Sequence, residues 1–209
     1  MRKNVTVLAK NPFDADVKTR LAQDLGVEQA KGVYARLLYQ TLFSLLDKPE
    51  KETSLTLSLL SSRDREYFTE AFPEFEITHQ ASWGDLGEKI HHALQQAFQN
   101  GAQKAIVIGS DLPCIQWKCL NQAFEGINER NIALGPCVDG GYYLIGMQSP
   151  GVNVFQNIPW STENVLGLTL EKVQAAGYQH YLLPECQDID FQSDLRTWQA
   201  SLTKVGNQD

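Results

Sequence analysis

Three cations, Lys10, Lys18 and Arg20, fall within eleven residues of a chain that holds only 18 lysines and arginines in 209. They follow Val5–Ala9, a short apolar run that reads as a buried strand ended by Lys10-Asn11-Pro12. Positive charge concentrated after a strand suits a diphosphate, because Arg offers a planar fork of donors and Lys a point charge. Thr19 adds a hydroxyl or a backbone donor. On composition alone, a solvated charged loop explains the same residues equally well. The two familiar phosphate loops are absent: there is no G-x-x-x-x-G-K-[ST] and no G-x-G-x-x-G after a strand. Neither a P-loop ATPase nor a Rossmann dehydrogenase is supported.

The aspartates supply the opposite charge. Asp111 directly follows Ile106-Val107-Ile108-Gly109-Ser110, at the tip of what reads as a central strand. With Leu112-Pro113 next, a helix-cap turn is the default reading. The same position suits Mg²⁺ or Mn²⁺, which take carboxylate oxygens beside substrate phosphates. Asp188-Ile189-Asp190 offers two more carboxylates; in extended chain, residues two apart share a face, so both could hold one ion. The alternative is that Asp190 caps the last helix. Asp139-Gly140-Gly141 between apolar runs is a hairpin signal. The tandem glycines serve that turn or let a ligand approach the backbone. Gly135-Pro136 before them and Tyr142-Tyr143 after them give the loop aromatic edges suited to a sugar or base. Asp139 is a candidate general base, or an acceptor for sugar hydroxyls. Ser161 is expected to cap a helix whose free amides, with Thr162, could receive an anionic substrate. His91 and His92 are adjacent on a helix and point to different faces, and Trp83 and Trp198 suit packing.

Alternating periodicities must position these groups. Strands are expected at Val5–Ala9, Leu55–Leu60, Phe75–Thr78, Ala105–Gly109, Ile132–Leu134, Tyr142–Met147 and His180–Leu183. Gly26–Asp47 reads as a helix with Ala30, Val33, Leu37, Leu38, Thr41 and Leu45 on one stripe. A second helix is capped by Asp85, with Glu88 in the capping-box position, runs through Ile90, Leu94 and Phe98, and stops at Asn100-Gly101. Ile115–Phe124, Ser161–Ala176 closed by Gly177, and about Ser193–Leu202 complete the set. Strand–helix alternation from end to end implies a three-layer α/β/α sandwich with a mostly parallel sheet, in a single domain over residues 1–209. Ligands of such sheets bind beyond the carboxyl ends of the strands, where the residues above fall. The polar segment Asp47–Thr53 is the best candidate for a loose connection.

Bulk properties narrow the field. A net charge of −7 and a pI near 5.1 disfavour DNA or RNA as a partner, which needs a basic face. The four cysteines, Cys114, Cys119, Cys137 and Cys186, form no C-x-x-C pair and have no His-x-x-x-His partner. They are expected to be reduced and mostly to pack, without a zinc site. Met1-Arg2-Lys3-Asn4 leads into too short an apolar run for a signal peptide, and no run approaches the roughly 20 residues of a membrane helix. The expectation is a cytoplasmic protein.

Several segments occur in order along the chain: Lys10-Asn11-Pro12, Val17-Lys18-Thr19-Arg20-Leu21, Gly84-Asp85-Leu86-Gly87-Glu88, Gly109-Ser110-Asp111-Leu112-Pro113, Gly135-Pro136, Asp139-Gly140-Gly141-Tyr142-Tyr143-Leu144-Ile145-Gly146, Trp160-Ser161-Thr162, and Asp188-Ile189-Asp190 with Asp194-Leu195. Together they resemble the DUF2064 family of candidate glycosyltransferases, which has the GT-A nucleotide-diphospho-sugar transferase fold. That family is similar to 2-phospholactate guanylyltransferase and to molybdenum-cofactor guanylyltransferase. The resemblance implies that Lys10, Lys18 and Arg20, with Thr19, meet nucleotide phosphates, and that Asp111 stands where the superfold places its metal-binding aspartate. It implies that Asp188 and Asp190 lie in a segment that closes the site in the guanylyltransferase relatives. Gly140, Gly141, Tyr142, Ser161 and Thr162 are then expected at the substrate. The expected activity is transfer of a sugar from a nucleotide-diphosphate sugar to a small acceptor, with Mg²⁺ or Mn²⁺. One alternative is nucleotidyl transfer from a nucleoside triphosphate with release of pyrophosphate. A second is an inactive nucleotide-binding scaffold, motivated by Ala15 and Asp16 where the family has a glycine and a basic residue. Lys89 also stands where Arg is common. The chain could act alone or as a homodimer.

Overall fold

Val5, Val7 and Ala9 of the first strand lie opposite Leu55, Leu57 and Leu59 on one side, and the first two lie opposite Ile106 and Ile108 on the other. All of these side chains are buried. Strands this apolar must be covered on both faces, and they are. The computed structural model describes residues 1–12, 16–47, 52–113, 115–149 and 153–205, with side chains through residue 200. The strands are β1 (Lys3–Ala9), β2 (Thr53–Leu59), β3 (Phe75–His79), β4 (Lys104–Gly109), β5 (Asn131–Pro136), β6 (Tyr142–Met147) and β7 (Gln179–Leu182). They form one sheet in the order β3-β2-β1-β4-β6-β5-β7. Only β6 runs antiparallel to its neighbours, β4 and β5. The carboxyl ends of β1, β4 and β5 therefore open onto the same edge of the sheet.

The helices are α1 (Thr19–Leu25), α2 (Val27–Leu46), α3 (Arg65–Ala71), α4 (Leu86–Gln99), α5 (Trp117–Gly126), α6 (Val165–Ala175) and α7 (Gln192–Val205). Tyr34, Leu38, Leu42 and Leu45 of α2, with Phe68 of α3 and Leu120 and Phe124 of α5, pack on the odd-numbered face of β1. Ile90, Ala93, Leu94 and Ala97 of α4 and Val173 of α6 pack on the other face, against Val107, Leu134 and Ile145. Three layers result. α2 is buried on a second side as well, where Leu37 meets Ile189, Leu195 and Trp198. Each fully buried leucine contributes about 1.5–3 kcal/mol, so this helix is a large share of the core.

Several boundaries differ from expectation. α1 and α3 were not anticipated, because seven residues each are too few for a periodic stripe to stand out. α5 starts at Trp117, two residues later than the expected Ile115. The largest correction is at α6, which starts at Val165 with Asn164 before it. Ser161, in a left-handed conformation at φ 66°, lies three residues before Asn164 and is not the cap. Thr162 Oγ1 instead donates to Pro159 O at 2.8 Å, and Leu166 N donates to Gly140 O at 2.8 Å. The chain thus turns through residues 161–164 to dock on the β5–β6 hairpin before helix begins. Asp85 caps α4 as expected, accepting from Glu88 N at 3.1 Å. Asp47 ends α2 and Thr53 starts β2; residues 48–51 of the expected loose connection lie outside the described residues, as do Ala15 and Cys114. Among the described residues, no helix is long and apolar enough to cross a membrane.

Candidate active site

Lys18 is the centre of the site. It precedes α1 in a left-handed conformation, φ 48° and ψ 47°. A non-glycine residue there costs about 1–2 kcal/mol, so the surrounding contacts must hold it. They do: its side chain is 3% exposed, with Nζ 2.7 Å from Asp111 Oδ2 and 3.3 Å from Asp190 Oδ1. Burial alone would lower the amine's pKa, but Asp111, then Asp190 and Asp188, outweigh it and raise the pKa above its ordinary value. The ammonium is therefore charged. Arg20, half exposed at the start of α1, places Nη1 3.0 Å from Asp190 Oδ2, so Asp190 joins both cations.

Asp111 does not cap a helix. The next helix, α5, begins at Trp117 with Gln116 before it, and the Asp111 carboxylate goes to Lys18 instead. Its strand end is tied to β1 by Tyr34, a buried residue of α2. The Tyr34 hydroxyl lies 2.7 Å from Ser110 Oγ and accepts from Lys10 N at 3.0 Å. Burial raises its pKa, which keeps it a neutral phenol. Gln80 adds a second brace, Nε2 donating to Ala9 O at 2.9 Å and Ser58 O at 3.0 Å. Lys10 Nζ donates to Asp16 O at 3.2 Å.

Beyond β5, Asp139 Oδ1 accepts from Gly141 N at 2.9 Å. The Cys137 thiol donates to Asp188 Oδ1 at 3.4 Å. One ligand atom from each of Cys137, Asp139 and Asp188 lies within 4.8 Å of the other two. Burial, and then the Asp111 charge, push the Asp188 carboxyl from 3.8 up to about 6. Burial, and then Asp188, push the Cys137 thiol up as well. Asp188 and Asp190 flank buried Ile189 and hold different partners, so the expectation that they share one ion is not met: Asp190 pairs with the cations, and Asp188 sits with Cys137 and Asp139. The crowding of Asp188 by Asp111 and Asp139 fits a divalent cation.

Two cavities meet here. One, of about 330 Å³, is lined by Lys10, Lys18, Tyr34, Gln80, Lys89 and Asp111, with apolar walls that include Leu8, Val107 and Ile145. The other, of about 590 Å³, is polar and lined by Lys18, Thr19, Arg20, Asp111, Asp139, Ser161, Thr162, Glu163 and Asp190. Lys18 and Asp111 belong to both. The tandem glycines line neither. Gly140 has φ +83°, and a Cβ there would stand 2.0 Å from Glu163 O, so its role is to let the hairpin close on the turn before α6. Tyr142 lines the smaller cavity, but its ring meets Trp160 edge-on at 6.1 Å and its hydroxyl lies beside Thr169. Tyr143 is buried, donating to Pro184 O at 3.1 Å. Tyr34, Gln80 and Cys137 were not anticipated as site residues. A hydroxyl inside the apolar stripe of α2 was the available signal for Tyr34; for Cys137, nothing in the cysteine spacing pointed beyond packing.

The whole chain superposes on solved structures of one fold. It covers 100% of its length and 90% of a candidate nucleotide-diphospho-sugar transferase from Desulfovibrio desulfuricans G20, with a TM-score of 0.85 and 28% identity. A nucleotidyl transferase from Methanothermobacter is similar at a TM-score of 0.63 and 13% identity, over 97% of this chain and 99% of that one. CMP:2-keto-3-deoxy-manno-octonic acid synthetase, solved with CTP, is similar at 0.59 and 10%, over 98% and 100%. The last two likenesses establish the nucleotide-diphospho-sugar transferase fold and nothing finer. No curated protein matches the sequence. Residues 45–162 match the profile of DUF2064, described as an uncharacterized protein conserved in bacteria, and the chain belongs to that family.

Proposed function

We propose that this protein is a transferase that moves a sugar from a nucleotide-diphosphate-sugar donor to a small acceptor. The observation that carries the reading is the buried Lys18 ammonium, fixed by Asp111 and Asp190 where an apolar-walled cavity meets a polar one. The smaller cavity suits a nucleobase against Leu8, Val107 and Ile145. Lys18 and Arg20 neutralise the charge that develops on the departing nucleoside diphosphate. Asp190 holds both cations in place before substrate arrives, so little reorganisation is left for the reaction. Thr19, Ser161 and Thr162 line the polar cavity, where they can hydrogen-bond the sugar and the acceptor. Mg²⁺ or Mn²⁺, held by Asp111, Asp139 and Asp188, would neutralise charge on the diphosphate. Asp139 is thereby assigned to the ion rather than to proton abstraction, since it lies in the carboxylate cluster with one oxygen already on Gly141 N.

Nucleotidyl transfer is the second reading, favoured by Lys10 beside Lys18 in the smaller cavity, a further cation for a third phosphate. Incubation with Mn²⁺ and a panel of nucleotide sugars, and separately with nucleoside triphosphates and phosphorylated acceptors, separates the two. Release of nucleoside diphosphate from a sugar donor supports the first. Pyrophosphate from a triphosphate, with sugar donors left intact, overturns it in favour of the second. Nucleotide binding without either product leaves a scaffold that binds and does not transfer.

A further inference from the structure

Resting on the sugar-transfer reading above, we propose that Glu163 is the general base of this site and takes the proton of the acceptor hydroxyl as that hydroxyl attacks the sugar. An alcohol that keeps its proton is a poor nucleophile, so the transfer needs a group to receive it. Four carboxylates line the polar cavity: Asp111, Asp139, Glu163 and Asp190. Three of them are engaged. Asp111 pairs with Lys18 at 2.7 Å, and Asp190 pairs with Lys18 at 3.3 Å and Arg20 at 3.0 Å. Asp139 accepts from Gly141 N at 2.9 Å and stands with Cys137 and Asp188. A carboxylate whose lone pairs already serve a cation or an amide has less to offer an incoming proton. Glu163 is exposed, and its side chain has no hydrogen bond or ion pair among the described residues.

The backbone places this carboxylate. The Glu163 carbonyl packs against Gly140, where a Cβ would stand 2.0 Å from it, and Leu166 N donates to Gly140 O at 2.8 Å, so the turn is clamped to the β5–β6 hairpin. Thr162 Oγ1 donates to Pro159 O at 2.8 Å, and Val165 N donates to Thr162 O at 3.4 Å, which holds the chain on either side of Glu163. The main chain is thus set while the side chain lines the cavity with its oxygens unengaged. Lys18 and Arg20 reach the same cavity from the start of α1. The cations for the leaving diphosphate and the base for the acceptor therefore stand on different elements around one space. That division suits inversion, in which nucleophile and leaving group occupy opposite faces of the sugar carbon. In the step, the acceptor oxygen bonds to the anomeric carbon and the bond from that carbon to the diphosphate oxygen breaks. The electron pair leaves with the nucleoside diphosphate, whose charge Lys18 and Arg20 meet. The acceptor's proton passes to Glu163 and is later lost to solvent.

Azide is a direct probe, because it attacks carbon as an anion and needs no base. The full-length protein and its Glu163→Gln variant are incubated with Mn²⁺ and a panel of α-linked donors, UDP-, GDP- and ADP-glucose among them. Water alone serves as acceptor in one arm and sodium azide is added in the other. Calorimetry reads donor affinity, and circular dichroism confirms the fold. We expect Glu163→Gln to lower nucleoside diphosphate release in water by roughly a hundredfold or more, with donor affinity kept within about twofold. We expect azide to restore release to the variant, with a β-glycosyl azide as the product. Unchanged release in water, release that azide fails to restore, an α-linked product, or lost donor affinity with the fold intact each overturns the assignment. The sugar-transfer reading survives all four, because the wild type still turns over. If the wild type releases no nucleoside diphosphate from any donor of the panel, that reading fails and the assignment falls with it.

Discussion

Replacing Asp188 with Asn should stabilise the metal-free protein at neutral pH and leave its stability at pH 4 nearly unchanged. Burial and the neighbouring Asp111 charge raise the Asp188 carboxyl from 3.8 to about 6. A group whose folded pKa lies above its unfolded value contributes stability that is fully present below the unfolded value and lost as pH rises through the folded one. For Asp188 that window runs from pH 3.8 to about 6. Above it the fold bears a charged, crowded carboxylate at a cost on the order of 3 kcal/mol, from about 1.4 kcal/mol for each tenfold change in protonation constant. Asn matches the protonated carboxyl in size, keeps an oxygen for the Cys137 thiol and carries no charge. For a chain of this length, about 3 kcal/mol corresponds to roughly 6–12 °C in Tm. The assay is urea denaturation of both proteins in chelator, at pH 4 and pH 7.5. The wild type should be the weaker at pH 7.5 and equal at pH 4. Adding a divalent cation at pH 7.5 should narrow or reverse the order, because the ion binds the wild-type carboxylate and not the amide. An Asn variant that is weaker by the same amount at both pH values would show that Asp188 stabilises the fold as a hydrogen-bond acceptor, and the reasoning from crowded charge would fail.

Lys18→Met should lower nucleotide affinity by roughly two orders of magnitude and stability by about 2 kcal/mol, less than the 3–5 kcal/mol of a fully buried pair, because Asp111 and Asp190 are partly exposed and regain water. Calorimetry and thermal melting check it, and unchanged affinity would remove Lys18 from the phosphate site. Tyr34→Phe deletes the hydroxyl that joins Lys10 N to Ser110 and should cost about 1–3 kcal/mol, read by denaturant titration. Loss of stability with no change in nucleotide affinity would mean that this brace does not position the loop. Gly140→Ala places a Cβ 2.0 Å from Glu163 O at φ +83° and should destabilise by at least about 3 kcal/mol. A variant that folds normally but loses substrate affinity would return Gly140 to the ligand.

Strand identity was legible in the sequence because apolar runs such as Val5–Ala9 and Ala105–Gly109 leave few alternatives, and the mostly parallel sheet followed from their spacing. The site was legible only as two lists of charges, at Lys10–Arg20 and at the aspartates. Local chemistry favoured a cap for Asp111 and Ser161, and both readings failed for one reason: a cap needs a helix that starts beside it, and α5 and α6 start at Trp117 and Val165. What moved those starts is tertiary. The turn before α6 docks on Gly140, and the Asp111 carboxylate is drawn to an ammonium that α1 delivers from nearly a hundred residues earlier in the chain. The surroundings of Cys137 are set by the same logic. Its spacing to other cysteines is uninformative because its partners are carboxylates, brought to it by the bridge between Cys137 and Cys186. The left-handed backbone of Lys18 follows from this arrangement too. No local signal asks for that conformation, and it persists because two aspartates from distant segments hold the side chain that it aims. A residue kept in a strained conformation to present a buried charge at the meeting point of two cavities is what pre-organisation for an anionic ligand requires.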